Sequence, residues 1–216
     1  MPSVIIRKKA ILEFGIGLSL LIAIAICSYN SLNKLNNAVT WVKHTYLTKE
    51  SLDALKTDLI SAESSQRGYL LTGKSQYLTE TYIAIERVYL SESYLSGLVI
   101  DNSSQFKKVQ SLYKVIEKRL AVLRNVAELK ESGKVEEVYT IVSSSKGKIL
   151  MDEVLNKIRE IKVIEDGLLE KRLDELETSY QTTTSIIIFG GVISIVIVFG
   201  AMTIINNIGH SSKSVV

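Results

Sequence analysis

The sequence predicts an all-α protein in which an extracytoplasmic up-down four-helix bundle lies between two transmembrane helices. Apolar runs long enough to cross a bilayer lie near both ends of the chain. Between them, apolar residues recur at alternating steps of three and four, which is typical of amphipathic helices. Among the 216 residues the single proline is Pro2, so no proline breaks a helix in the interior.

Composition and motifs argue against several other classes of protein. The formal net charge of +3 is too small to indicate nucleic-acid binding. The single cysteine, Cys27, excludes an intrachain disulfide framework. The two histidines, His44 and His210, are separated by the second apolar run, and no phosphate-cradling loop or partnered nucleophile is evident. We therefore expect no catalysis, metal or cofactor, and interpret His44 as a polar residue of a helix surface or interface.

The first apolar run extends from Ala10 to about Ser28 and follows the basic cluster at residues 7–9. It predicts a transmembrane helix at residues 10–29, with residues 1–9 in the cytoplasm by the positive-inside rule. Two alternatives remain open. Ala23-Ile24-Ala25 resembles a signal-peptide cleavage site, and Cys27 could end a lipoprotein signal, although Ile26 stands where that signal requires a small residue. We favour the uncleaved helix because the apolar sequence continues through Ile26.

The second apolar run, Ser185 to Ile205, carries no charged residue and predicts a transmembrane helix at residues 185–205. Two spans return the chain to the cytoplasm, so residues 206–216 form a short cytoplasmic tail and residues 30–184 lie outside. This orientation depends mainly on the first span, because Lys213 alone is weak support.

The first bundle helix is predicted from Asn30 to Leu71, continuing from the membrane helix without a break. Its seam is a heptad pattern with one stutter near Lys49. The seam residues are Leu35, Val39, Val42, Tyr46, Leu52, Leu55, Leu59, Ala62, Gln66 and Tyr69. Gly73 predicts a left-handed helix end, and Ser75 is the expected N-cap of the next helix.

Three further helices and a short helical piece follow. The second helix is expected from about Gln76 to Leu98, with Leu78, Tyr82, Ile85 and Tyr89 inside. After a turn at residues 101–104, the third is expected to bury Phe106, Val109, Leu112, Ile116, Leu120, Leu123 and Val126. A short piece spans residues 135–142, and the last helix begins near Lys148. Its expected stripe is Met151, Val154, Ile158, Ile161, Leu168 and Leu176. Long helices joined by short corners predict an up-down bundle.

Polar residues near the first corner form the candidate site. Gln66 falls on the apolar seam, so a polar group should point inward, where it needs a partner. Glu63 and Arg67 are spaced to pair on one helix face, and Gly68 predicts close approach of another helix. We favour the interpretation that these residues fix the register of the bundle; a ligand-contacting or signal-transmitting layer is the alternative.

Four segments resemble a known family. The run Ala62-Glu63-(x)2-Gln66-Arg67-Gly68-Tyr69-Leu70-Leu71-Thr72-Gly73-(x)3-Tyr77-Leu78, then Tyr82, resembles the signature of the type-3 CHASE domain, an extracellular sensory module of bacterial signalling proteins. Trp41-Val42-(x)-His44-Thr45, Asp101-Asn102-(x)2-Gln105 and Glu165-(x)2-Leu168-Leu169-(x)2-Arg172 resemble its other helix patterns. The resemblance implies a helical bundle outside the membrane and a homodimer. The candidate sensory or register layer is then Glu63, Gln66, Arg67, Gly68, Tyr69, Gly73, Tyr77, Tyr82, Glu165 and Arg172.

The resulting hypothesis is a sensory input module in the bacterial inner membrane. The residues after Ile205 are too few for an output domain, so a separate histidine kinase or other signalling protein is the expected partner. The alternative is a scaffolding bundle that binds a partner protein without sensing. Small residues recur every four positions on the first apolar helix, at Gly15, Ser19, Ala23 and Cys27. This face could pack on a second copy or on the second apolar helix of the same chain.

Overall fold

A computed structural model describes the backbone of residues 2–213 and the side chains of residues 11–203. The described chain is helical with no strand, which confirms the predicted fold class. Its helices are α1 (Pro2–Thr72), α2 (Ser75–Val99), α3 (Ser103–Glu131), α4 (Val135–Ser143) and α5 (Lys146–Lys213). The first bundle helix does continue from the apolar helix without a break, because α1 is one uninterrupted helix.

The chain divides into two compact units. One comprises residues 43–171 and contains α2, α3, α4 and the adjoining parts of α1 and α5; we call it the bundle unit. The other comprises residues 1–42 and 172–216, and we call it the helix-pair unit. α1 and α5 therefore each contribute a segment to both units.

The core of the bundle unit is built from aliphatic side chains of four helices. α1 buries Leu52, Leu55, Leu59 and Ala62, and α3 buries Leu112, Ile116, Leu120 and Leu123. α5 adds Met151, Val154, Ile158 and Ile161, as its spacing predicts. The predicted seam of α1 is wrong at Val39 and Tyr46, which are 49% and 52% exposed. Val42, Thr45 and Thr48 are buried instead, so the inward face before the stutter is partly polar.

The predicted inner stripe of α2 is confirmed at Ile85 and at Tyr89, which packs against the core, but it is wrong at Tyr82. Tyr82 is exposed, and Leu78 and Tyr89 are only partly buried. The buried face consists of Thr81, Ala84, Ile85, Val88, Leu95 and Val99. A tyrosine at the margin of this face keeps its hydroxyl in contact with water or a polar group.

The corners follow local chemistry. Gly73 has φ +69°, as predicted, and its N–H donates to Tyr69 O at 2.8 Å. The prediction that Ser75 is the N-cap of α2 is wrong. Lys74 holds that position without a side-chain cap, and its N–H donates to the hydroxyl of Thr72 at 3.3 Å. Asn102 caps α3, since its Oδ1 accepts from the N–H groups of Ser104 and Gln105, both at 3.2 Å.

Within residues 11–203, two helices are long and apolar enough to cross a membrane by length and composition. They contact each other in the helix-pair unit, where the hydroxyls of Ser31 and Thr183 lie 2.9 Å apart. A Cβ built on Gly17 would lie 3.0 Å from Ile197 Cγ2, so a glycine permits this approach. By contrast, the face formed by Gly15, Ser19, Ala23 and Cys27 is exposed. The second apolar helix of the same chain therefore does not cover that face.

Candidate functional site: buried polar contacts of the bundle

Gln66 points into the bundle, as its place on the seam predicts. It is 6% exposed, and its side-chain amide donates to the backbone carbonyl of Leu123 on α3. This bond satisfies a side-chain amide that burial would otherwise leave without a partner. It also fixes the axial position of α1 against α3, because a shift of one residue would separate the two groups.

Glu63 is shared between two arginines. Arg67, four residues along α1, donates to Oε1, and Arg119 of α3 places Nη2 3.3 Å from Oε2. Arg67 is mostly exposed, whereas Arg119 is only 4% exposed. Burial lowers the pKa of Arg119, and the Glu63 carboxylate opposes this effect. The contact between Glu63 and Arg119 is therefore the ion pair that joins α1 to α3.

Arg119 is not among the site residues predicted from the sequence. Its signal was available, because the spacing Leu112, Ile116, Arg119, Leu123, Val126 alternates steps of four and three. Arg119 thus stands on the core face of α3 as Gln66 stands on that of α1. A Cβ built on Gly147, at the start of α5, would lie 3.3 Å from its Nη1. Gly147 therefore leaves room for the guanidinium.

Gly68 lies against α2. A Cβ built on Gly68 would lie 2.9 Å from Cδ1 of Tyr77, in the first turn of α2. Tyr69 is 7% exposed beside it, and Gly73 closes the corner four residues later. The predicted close packing at Gly68 is present, and the ring of Tyr77 provides it. Tyr82 lies at the exposed margin of this cluster, where burial raises the pKa of its phenol and Tyr69 makes a smaller contribution.

Glu165 lies in a different cluster. Its Oε1 accepts from the side-chain amide of Gln105 at 2.6 Å, and the two residues are 1% and 6% exposed. The next residue, Asp166, pairs with Lys49 of α1. Lys49 precedes Glu63 by fourteen residues, or roughly 20 Å of helix. Glu165 therefore does not share a layer with Glu63.

Arg172 forms a third cluster, in the helix-pair unit. Its guanidinium carbon lies 4.7 Å from the ring centroid of Trp41, and Nη1 donates to the Trp41 carbonyl at 3.2 Å. The predicted single layer is thus corrected to three separate clusters. The segments that carry the resemblance nevertheless meet in pairs: the α3 turn with the last helix at Gln105 and Glu165, and the first helix with the last at Trp41 and Arg172.

Glu92 is an acidic residue that gave no signal in the sequence. It lies on α2, half-buried against α3, and its Oε1 is buried without a hydrogen-bond partner among the described residues. Burial raises its pKa to about 7, with a further contribution from the Glu117 carboxylate. Tyr113 donates to the backbone carbonyl of Glu92 at 2.6 Å, and burial raises the pKa of this phenol to about 12. Protonation of Glu92 therefore favours the folded bundle.

These contacts are suited to holding helices in register. Among the described residues there is no group of three or more His, Cys, Asp or Glu placed to hold a metal ion. Each buried contact joins two helices through one or two hydrogen bonds or an ion pair. A small axial shift or rotation of one helix would break such a contact.

Comparisons with known proteins agree with this architecture. The crystal structure of the sensor domain of the histidine kinase HK9 from Rhodopseudomonas palustris is similar with a TM-score of 0.55 and 24% sequence identity. The match covers 58% of this chain and 98% of that sensor domain, and it supports the fold. A comparison with curated proteins finds no match. Residues 38–175, more than half of the chain, match the CHASE3 domain family, and this range includes the three clusters. The chain belongs to the CHASE3 domain family.

Proposed function

We propose that this chain is a signal-input module of bacterial signal transduction, anchored in the inner membrane by two helices. The observation that carries the proposal is the match of residues 38–175 to the CHASE3 domain family, in a bundle flanked by two long apolar helices. The fold of a histidine kinase sensor domain supports a sensory module. Residues 30–184 form the extracytoplasmic bundle in this proposal. In this proposal the chain is not an enzyme and uses no cofactor.

The proposed orientation places both ends of the chain in the cytoplasm. Residues 10–29 and 185–205 cross the membrane, and residues 7–9 supply the basic cluster that faces the cytoplasm. Residues 1–9 and 206–216 are then the cytoplasmic ends. The apolar side chains of both helices support this reading because most of them are exposed, as they would be to lipid.

The signal would travel along α1 and α5, which each run uninterrupted from the bundle unit into the helix-pair unit. A cue that binds one bundle arrangement more tightly than another would shift the equilibrium between them. The bonds from Gln66 to Leu123 and from Gln105 to Glu165 join α1 and α5 to α3. They are the contacts that a piston, rotation or rocking movement of α1 or α5 would have to exchange.

The proposed partners are a second copy of the chain and a separate histidine kinase or other signalling protein. The exposed face of Gly15, Ser19, Ala23 and Cys27 supports the second copy, because small residues allow two membrane helices to approach closely. Crosslinking from cysteines on this face in membranes would identify either partner.

The proposal is tested with a chimera in which residues 1–205 are joined to a histidine kinase output region. Cells carrying it are exposed to a panel of small molecules, pH values and salts, and phosphotransfer is measured. We expect at least one stimulus to change output. Substitution of Gln105 by Leu, which breaks the bond to Glu165, should change the basal output or the response, whereas Glu136→Gln on exposed α4 should not. Output that responds to none of these, from a correctly inserted chimera, would favour the scaffolding alternative.

A further inference from the structure

The bundle unit contains a groove between α1 and α2 that none of the contacts above uses. Its volume is about 480 Å³, and Leu47, Ala54 and Leu90 form apolar walls. Tyr94 also lines it, and Leu90 and Tyr94 are 71% and 54% exposed. Sites for small organic molecules have volumes of this order, mostly apolar linings and a few polar groups. The groove has the size and surface of such a site.

One carboxylate beside the groove is already neutralised. Asp58 Oδ1 accepts from Arg87 Nε at 2.9 Å, and Oδ2 accepts from the hydroxyl of Ser91, a lining residue, at 3.2 Å. The Asp58 carboxylate is therefore already paired with a cation. Any charge preference of the groove must come from its remaining carboxylate.

That carboxylate is Glu50, which is exposed on the lining and forms no ion pair among the described residues. The residues three and four positions away on α1 are Tyr46, Leu47, Asp53 and Ala54, so the helix itself offers no lysine or arginine to Glu50. The groove thus combines an apolar surface with one uncompensated negative charge.

A buried hydroxyl on the lining also lacks a partner. Ser51 is 4% exposed, and its Oγ has no hydrogen bond within the described part of the chain. Thr48 and Thr57 on the same helix instead donate to the carbonyl four residues before them, at 3.0 and 2.8 Å. Because a buried polar group without a partner is costly, a ligand that supplied a partner after rotation of the Ser51 side chain would gain affinity.

We propose that this groove binds a small organic ammonium compound with an apolar or aromatic body. The ammonium group pairs with Glu50 and is attracted by the ring of Tyr94, while the body covers Leu47 and Leu90. A carboxylate of the same shape would be repelled by Glu50. This inference rests on the proposed sensory function, because it names the chemical class of the cue. Binding is measured directly, however, and does not require a signalling output.

The test uses the full chain in detergent micelles and isothermal titration calorimetry. The probes are 2-phenylethylamine and 3-phenylpropionate, which share a ring and differ in the sign of their charge. We expect saturable binding of the amine and none of the acid. Glu50→Gln should weaken amine binding by about two- to fivefold, because the carboxylate is exposed, and Ala54→Phe should fill the groove and abolish binding. Glu136→Gln, on the exposed face of α4, is the matched control and should bind like the wild type.

Several outcomes would overturn the proposal: no saturable binding of the amine, equal binding of the acid, or unchanged affinity in Glu50→Gln. If Leu90→Glu converts a dimer to a monomer in sedimentation, a second copy occupies the groove and the proposal also fails. Glu50 and Ala54 are exposed, so their variants should keep the helix content of the wild type in circular dichroism. Amine binding without any response of the chimera would refute the sensory function alone, and a responsive chimera without amine binding would refute the ligand class alone.

Discussion

Gly68→Ala should destabilise the bundle because the new methyl group meets the ring of Tyr77. The built Cβ lies 2.9, 3.0 and 3.1 Å from Cδ1, Cγ and Cε1 of that ring. Carbon atoms in good contact are about 3.5–4.0 Å apart, so the ring or the helix must move by roughly half an ångström. Cγ is fixed close to the backbone of α2, so the ring cannot simply swing away.

The magnitude follows from two opposing effects. Forcing an extra methyl group into a packed contact typically costs about 1–3 kcal/mol. Alanine in place of glycine inside a helix returns about 0.5–1 kcal/mol. We therefore expect the free energy of unfolding to fall by about 1–2 kcal/mol. Urea unfolding of residues 30–184, followed by far-UV circular dichroism, should show this as a lower midpoint with an unchanged slope.

Controls separate the clash from other effects of glycine. Gly167 lies within α5 with nothing within 4 Å of a built Cβ, so Gly167→Ala should stabilise the bundle slightly. Gly73→Ala has equal space but φ +69°, so it should cost about 1 kcal/mol through backbone strain alone. In a Tyr77→Ala background, Gly68→Ala should become neutral or stabilising. A raised midpoint for Gly68→Ala in the otherwise native bundle would refute the packing argument.

Three further predictions concern charge and topology. Folding raises the pKa of Glu92 from 4.5 to about 7, so the folded protein binds a proton there more tightly than the unfolded chain does. The contribution of Glu92 to stability is therefore greatest at low pH and is lost as the pH rises through 7. The full pKa shift would change the free energy of unfolding by about 3 kcal/mol, which partial solvation reduces to about 1–2 kcal/mol between pH 5 and 8. In Glu92→Gln the urea midpoint should vary less with pH across this range. A wild-type midpoint that rises with pH in step with that of Glu92→Gln would contradict the assignment. Glu63→Gln leaves buried Arg119 without its carboxylate and should lower the free energy of unfolding by about 3 kcal/mol. Arg67→Gln, at the exposed side, should lower it by less than about 1 kcal/mol. Equal losses in urea unfolding would show that burial does not distinguish the two ion pairs. In a Cys27→Ser background, a cysteine placed at Ser132 should react with an impermeant thiol reagent in intact cells, or in spheroplasts, and one at Ser212 should not; the reverse pattern would exclude the proposed orientation.

Local chemistry made the helices and their ends largely predictable. The apolar spacing gave the core residues of α3 and those of α5 as far as Ile161, whereas Leu168 and Leu176 are only partly buried. Gly73 marked a helix end because a left-handed residue there favours glycine. The same spacing placed Gln66 inside, since a residue on an apolar seam points inward whatever its polarity. It failed on α2, where Tyr82 matches the helical spacing yet lies at the margin of the core. A tyrosine has both an apolar ring and a polar hydroxyl, so spacing alone does not assign its side of the helix.

The sequence alone therefore determined that the chain is helical, where its helices end, which segments are apolar enough to cross a membrane, and which family it resembles. Only the tertiary structure decided the partners: Leu123 for Gln66, Arg119 for Glu63, Gln105 for Glu165, and Tyr77 for Gly68. It also separated Glu63 from Glu165, which the sequence had grouped. The reason is physical. Periodicity defines which face of a helix is buried, but the residue opposite that face depends on the axial shift and rotation of two helices, and packing along their whole length determines both.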